Sequence, residues 1–239
     1  MNNPRPIPQT HTLEMVSAES ARFMTRVYTW MTAGILLTGV VAWVVGQDAE
    51  FAATIITNRA LFWGLVIAQL GAVVVLSALS RRLNSMVAGL IYFAYAGLTG
   101  LTLSSIFLIY TTSSVAQVFG ITAFAFAGLS MFGAVTKRDL GPVGSFCMMG
   151  LFGLVGYWVL AMFMPSLMSG PGNFVVSIVG LIVFAGLTAY DTQKIKNMNV
   201  IGNEGTDDDR KEAIYGALTL YLDFINLFLS LLRLMGNRK

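Results

Sequence analysis

The chain has 239 residues, 56% of them hydrophobic and only 11% charged, with a mean hydropathy of +0.71. Soluble domains carry about 25% charged residues, so this composition excludes a soluble globule and points to a polytopic membrane protein. The single histidine, His11, lies in a polar, proline-containing arm, which excludes a histidine-based metal site or a Ser-His hydrolase in the apolar body. The single cysteine, Cys147, sits in an apolar run, cannot form an internal disulfide and reads as a small buried hydrophobe. A net charge of +3, without a basic patch interleaved with aromatics, suits anionic lipid and not nucleic acid.

Residues 1–26 form a polar N-terminal arm with Pro4, Pro6 and Pro8, read as flexible, and residues 27–239 form one membrane domain. The arm lacks the short apolar core and cleavage site of a signal peptide, so the first span reads as an uncleaved anchor. Apolar runs follow at Val27–Gly46, Ala60–Leu79, Met86–Tyr110, Val115–Val135, Val143–Met164, Phe174–Ala189 and Ala213–Met235; only the last is interrupted, by Asp223 and Arg233. About 20 apolar residues cross the hydrocarbon core as a helix. The runs are too long and continuous for barrel strands, which alternate. The spans therefore predict an all-α bundle of seven transmembrane helices. In the fifth run, Gly150, Gly153 and Gly156 predict a close helix contact.

Lys and Arg in the loops set the orientation. With the N-terminus inside, eleven of the fifteen cations fall on the inner side and four on the outer. This predicts a cytoplasmic N-terminus. The basic C-terminus then lies outside if the last helix crosses fully, and inside if it does not.

The sixth run is too short to cross the membrane unless its helix continues through Tyr190, Asp191 and Thr192, which draws Asp191 below the inner surface. Asp209 with Glu212 three residues on has the pattern of a cap and predicts that the seventh helix starts near Arg210. Asp223 then lies about 15 Å past Ala213, near mid-membrane. Gly216, Thr219, Asp223, Asn226, Ser230 and Arg233 form one small or polar stripe on this helix. Tyr92, Tyr95, Thr99, Thr102 and Ser105 form a similar stripe on the third span, and Ser177, Thr188 and Asp191 on the sixth. Polar stripes in lipid face protein or water, so the last helix is expected at the centre.

By alternation, both carboxylates fall in the inner half of the bilayer. Arg81 or Arg82, in the turn between spans two and three, is placed to clamp them. Two adjacent buried carboxylates cannot both ionise cheaply, so the pair is expected to share a proton. Protonated, it hydrogen-bonds to itself and holds the bundle shut; deprotonated, it offers hard oxygen ligands for Ca²⁺ or another cation. The rival reading is a polar network that only fixes helix packing. The acidic run Asp207–Asp209 with Glu204 lacks the ligand pattern of an EF-hand; it reads as favourable charge at a helix N-terminus, or as a weak cation-gathering mouth.

The segment Leu187-Thr188-Ala189-Tyr190-Asp191-Thr192-Gln193-Lys194 resembles the sixth-helix motif of the Bax inhibitor-1 (transmembrane Bax inhibitor motif) family. Leu218–Phe228, continuing through Leu231-Leu232-Arg233 and Gly236, resembles its seventh-helix motif. Leu98–Ser105 and Thr136–Leu140 resemble the bacterial branch. The resemblance implies seven helices with the last surrounded by two three-helix layers. It implies an aspartate pair acting as a pH sensor, here Asp191 and Asp223, supported by the polar stripe Thr219, Asn226, Ser230 and Thr188. It implies an arginine locking the closed state, Arg82 by position or Arg81, and a pH-sensitive Ca²⁺ leak. Ca²⁺ is the ion carried, held by the pair, and no cofactor is implied. Where some relatives carry a carboxylate in the second helix, this chain has Gln69. The family also includes bacterial members that regulate a membrane-bound AAA protease, so a non-transporting regulator is the alternative.

An enzyme is the weaker reading. Intramembrane aspartyl proteases pair Tyr-Asp with Gly-x-Gly-Asp; Tyr190-Asp191 fits the first, but Leu220-Tyr221-Leu222-Asp223 lacks the glycines that admit a substrate backbone. The chain is therefore read as a non-enzyme with no catalytic residue.

Overall fold

A computed structural model describes residues 9–78, 83–164 and 171–239. Its elements in chain order are α1 (Gln9–Gly46), α2 (Ala49–Thr57), α3 (Arg59–Ala78), α4 (Ser85–Leu103), α5 (Ile106–Ile109), α6 (Thr112–Val135), α7 (Gly141–Phe163), α8 (Pro171–Met198) and α9 (Asp207–Met235). Seven helical segments are long and apolar enough to cross a membrane, one for each predicted run. The chain is an all-α, polytopic membrane bundle.

Three boundaries differ from the sequence reading. Helix α1 begins at Gln9 and carries the polar residues ahead of Val27 as a continuous helical extension. The third crossing is interrupted after Leu103, where Ser104 and Ser105 turn their hydroxyls onto the carbonyls of Leu101 and Thr102 and separate α4 from α5. The link after α1 holds a short helix, α2, capped by the Asp48 carboxylate accepting from the Phe51 amide; it buries Ala52 and Ile55 and exposes Phe51 and Ile56.

Helix α9 is central. It packs against α8, α1, α6 and α4, and half of its most apolar stretch is buried, against 11% for α3. Ile67 and Val74 of α3, Phe124 and Met131 of α6, and Phe146 and Phe152 of α7 remain exposed, as expected of a lipid-facing ring. The α1–α4–α9 seam is closed by Tyr221. Its hydroxyl lies 2.6 Å from Thr38 Oγ1, and Thr38 donates to the Ala96 carbonyl at 2.8 Å. Tyr92 and Tyr95 pack edge-on against the Tyr221 ring.

The start of α9 corrects the expected cap. The cap residue is Thr206, whose hydroxyl accepts from the Asp209 amide, and the helix begins at Asp207. Asp209 is fully buried and serves elsewhere. Its Oδ1 accepts from Arg26 Nη2 at 2.8 Å and its Oδ2 from the Gly205 amide at 2.9 Å. Glu204 accepts from Arg22 at 2.8 and 2.9 Å and from Arg26 at 3.2 Å. These pairs clamp Arg22 and Arg26, at the end of the polar extension of α1, to the α8–α9 turn.

At the opposite end, Tyr110 and Arg238 form an antiparallel bridge. The Thr111 amide donates to the Asn237 carbonyl and the Lys239 amide to the Ile109 carbonyl. The C-terminus thus meets the α5–α6 link, so α9 runs the whole length of the bundle. Of the glycines expected to share one contact, Gly150, Gly153 and Gly156, only Gly150 makes a close approach, to Val183 of α8; Gly153 and Gly156 face open space, so the predicted three-glycine contact reduces to one.

Arg22, and after it Arg26, hold the Glu204 carboxyl below the usual carboxylate range by hydrogen bonding. A carboxyl depressed in the folded state contributes stability above its unfolded value and loses it as pH falls through the folded one. Hydrogen-exchange protection of the 199–206 turn is therefore expected to hold from neutral pH down to about pH 4 and to drop below it. Protection that falls between pH 7 and about pH 5 would contradict the clamp.

Candidate functional site

Asp191 sits on α8 because that helix runs past its apolar stretch to Met198. Two glycines brace it there. A Cβ on Gly133 of α6 would strike the Ala189 carbonyl, and one on Gly144 of α7 would strike the Tyr190 ring. Their bare backbones let α6 and α7 close on α8 at the two residues before Asp191. Asp223 lies midway along α9, in its buried face.

The two carboxyl groups lie within hydrogen-bonding range of each other. Asp191 is 9% and Asp223 4% exposed. Asp223 Oδ2 is fully buried with no hydrogen-bond partner among the described residues. Lys194 stands one turn on from Asp191, and its ammonium lies over the Tyr190 ring at 5.9 Å. Two carboxylates this close and this dry cannot both keep a charge unaided. The pair needs one bridging proton or one cation.

A cavity of about 600 Å³ opens at the pair, walled by Gln69 of α3, Tyr95 and Thr102 of α4, Leu151 of α7, and Thr219 and Asn226 of α9. A second cavity of about 710 Å³, walled by Asp208, Lys211 and Glu212, lies towards the α8–α9 turn; Ser77 and Tyr215 are common to both. The two cavities therefore adjoin on the side of the dyad that faces the α1 clamp.

Residues 20–239 match the family model described as Inhibitor of apoptosis-promoting Bax1. The chain belongs to this family. It is 46% identical to the inner membrane protein YbhL of Escherichia coli K12 over 97% of this chain and 98% of YbhL. A Deinococcus radiodurans protein is 40% identical over 96% of this chain and 95% of its own. A Rickettsia prowazekii protein is 41% identical over 91% of this chain and 90% of its own.

In this Bax inhibitor-1 family protein, the polar stripe predicted on the last helix divides. Thr219 and Asn226 line the dyad cavity. Ser230 lines a neighbouring one. All three side chains donate to carbonyls one turn back, of Tyr215, Leu222 and Asn226, leaving their oxygens as acceptors. Thr188 is fully buried, donates to the Phe184 carbonyl and is not a wall of the cavity. Arg81 and Arg82 lie outside the described residues.

Sequence reasoning missed the role of Gln69. Its Nε2 donates to Thr102 Oγ1 at 2.8 Å and its Oε1 accepts from Thr99 at 3.4 Å, pinning α3 to α4 across the cavity. The signal was available: a lone amide in an apolar run, opposite a threonine stripe. The Arg26–Asp209 pair was not legible, because the two residues are distant in sequence and each sits in a mixed-charge stretch.

Gly133→Ala is expected to destabilise the protein by about 1–3 kcal/mol, since its Cβ meets a backbone carbonyl that cannot rotate away. Unfolding in detergent checks this; a variant as stable as the parent would show that α6 does not brace the Asp191 segment.

Proposed function

We propose that the protein is a proton-gated Ca²⁺ leak of the bacterial inner membrane, oriented with its N-terminus in the cytoplasm. Asp191 and Asp223 form the gate and the transient cation site. The observation that carries this reading is the pairing of two buried carboxyls at one cavity, with Asp223 Oδ2 left unpartnered. A buried acid pair in a membrane bundle is costly, and its usual justification is an ion or proton pathway.

Sharing a proton, the pair is neutral enough to sit dry and tie α8 to α9. Losing that proton, it gains a second negative charge and draws in water or a cation through the Ser77–Tyr215 mouth. Hard oxygens from the carboxylates and from Asn226 and Thr219 suit Ca²⁺. Among the described residues, no three His, Cys, Asp or Glu side chains converge. A site of two carboxylates binds shallowly, which favours passage over storage. Arg82, with Arg81 as the alternative, is the proposed lock; the chain leaves α3 at Ala78, beside the mouth residue Ser77. The inner-membrane assignment draws on the name of YbhL and on the excess of Lys and Arg on one side of the spans.

Ca²⁺ efflux from proteoliposomes is expected to rise with pH as the pair loses its shared proton. Asp191→Asn and Asp223→Asn should each abolish that pH response, and Arg82→Ala should raise basal leak. Unchanged flux and pH response in both Asn variants would discard the dyad. Asn variants that alter co-purification with a membrane-bound AAA protease, and not flux, would favour a regulatory protein instead.

A further inference from the structure

The far end of α9 carries a cation that the dyad does not use. Arg233 lies ten residues beyond Asp223 on the same stripe, and its guanidinium carbon sits 4.6 Å from the centre of the Trp158 ring. Among the described residues it has no carboxylate partner; the salt bridges of the chain lie at the opposite end.

Its surroundings give it a position on a route. A cavity of about 230 Å³ is walled by Trp158, Gly180, Ser230 and Arg233, and also by Asn226 and Leu151. Those last two belong equally to the wall of the dyad cavity. Three hollows therefore adjoin along one flank of α9: the mouth at the α8–α9 turn, the dyad cavity, and this one. The polar stripe of α9 runs beside the last two, and Arg233 stands at the end. An arginine that only snorkels to the surface turns its head away from the bundle. This one is held by an aromatic face on the wall of the last hollow.

We infer that Arg233, parked on Trp158, is a charge barrier that closes the far end of this route to cations. The inference deepens the leak reading and rests on it for the identity of the ion. A divalent cation leaving the dyad would meet a fixed positive charge in a narrow, partly desolvated space, where repulsion is stronger than in water. Passage requires the guanidinium to swing away from the route, since it stays charged at any working pH. Arg233 acts on the permeating ion itself and leaves the protonation of the pair untouched.

Two measurements test this, and they fail separately. In proteoliposomes, Arg233→Gln should raise Ca²⁺ efflux by about tenfold without moving the pH at which the dyad responds, while Arg233→Lys, which keeps the charge, should stay near the parent. Arg233→Gln efflux no higher than the parent's, in a parent that does leak Ca²⁺, overturns the barrier.

The second readout needs no ion flux. A Ser230→Cys probe in a Cys147→Ala background, in lipid nanodiscs, is labelled with a cationic and with an anionic methanethiosulfonate reagent. Adding Arg233→Gln should speed the cationic reagent by about tenfold relative to the anionic one. Equal acceleration of both, or no change in either, would assign Arg233 a packing role and overturn the barrier. Charge-selective labelling in a protein whose variants all fail to pass Ca²⁺ would uphold the barrier and discard the leak.

Discussion

Two carboxyl groups removed from water set the terms for the rest of the bundle. Water solvates an ionised carboxylate far better than a protein interior does, and lipid offers nothing in its place. Asp191 and Asp223 are both buried and face each other, so each aggravates the other's cost unless a proton or a cation joins them. A helix bearing such a group cannot lie against acyl chains. That constraint puts α9 in the middle, calls for four helices packed on it, and leaves the purely apolar faces of α3, α6 and α7 for the lipid.

The surroundings serve the pair in different ways. Gly133 and Gly144 let two helices close on the segment that carries Asp191. Tyr221 and Thr38 lock α9 to α1 and α4 on the far side of the helix from the cavity, making that seam stiff. The cavity side is looser: α3 packs on α4 and α2 and is pinned across the cavity by Gln69. The rigid and yielding sides of α9 are therefore distinct, and the acidic pair lies between them. Charges outside the hydrocarbon core are arranged oppositely at the two ends. Arg22 and Arg26 are neutralised by Glu204 and Asp209 at one end, while Arg233 keeps its charge at the other.

Much of this was legible in the sequence, because the signals were long. Six charge-free runs and a seventh broken only by Asp223 and Arg233 can only be spans, and a polar stripe on the last of them demands a protein-facing helix. The shortness of the sixth run alone was enough to pull Asp191 into the membrane. Local signals misled where a distant partner intervened. Asp209 has the residue type of a cap, yet Arg26 claims its carboxylate and Thr206 caps the helix instead. Gly150, Gly153 and Gly156 share a spacing, but only Gly150 meets α8, since each step of three residues turns the next glycine further off that helix face. Arg233 was visible as a stripe residue; its stack on Trp158 depends on how α7 and α9 meet, which no spacing encodes.

The central claim is that Asp191 and Asp223 share one proton. Infrared difference spectroscopy of the protein in lipid nanodiscs tests it through the carbonyl stretch of a protonated carboxyl group, identified by its shift in heavy water. At neutral pH the parent should show one such band in this site, and Asp191→Asn and Asp223→Asn should each remove it, because a lone carboxylate beside an amide no longer needs the proton. A band that survives in both variants, or none in the parent at any pH where it stays folded, would contradict the account.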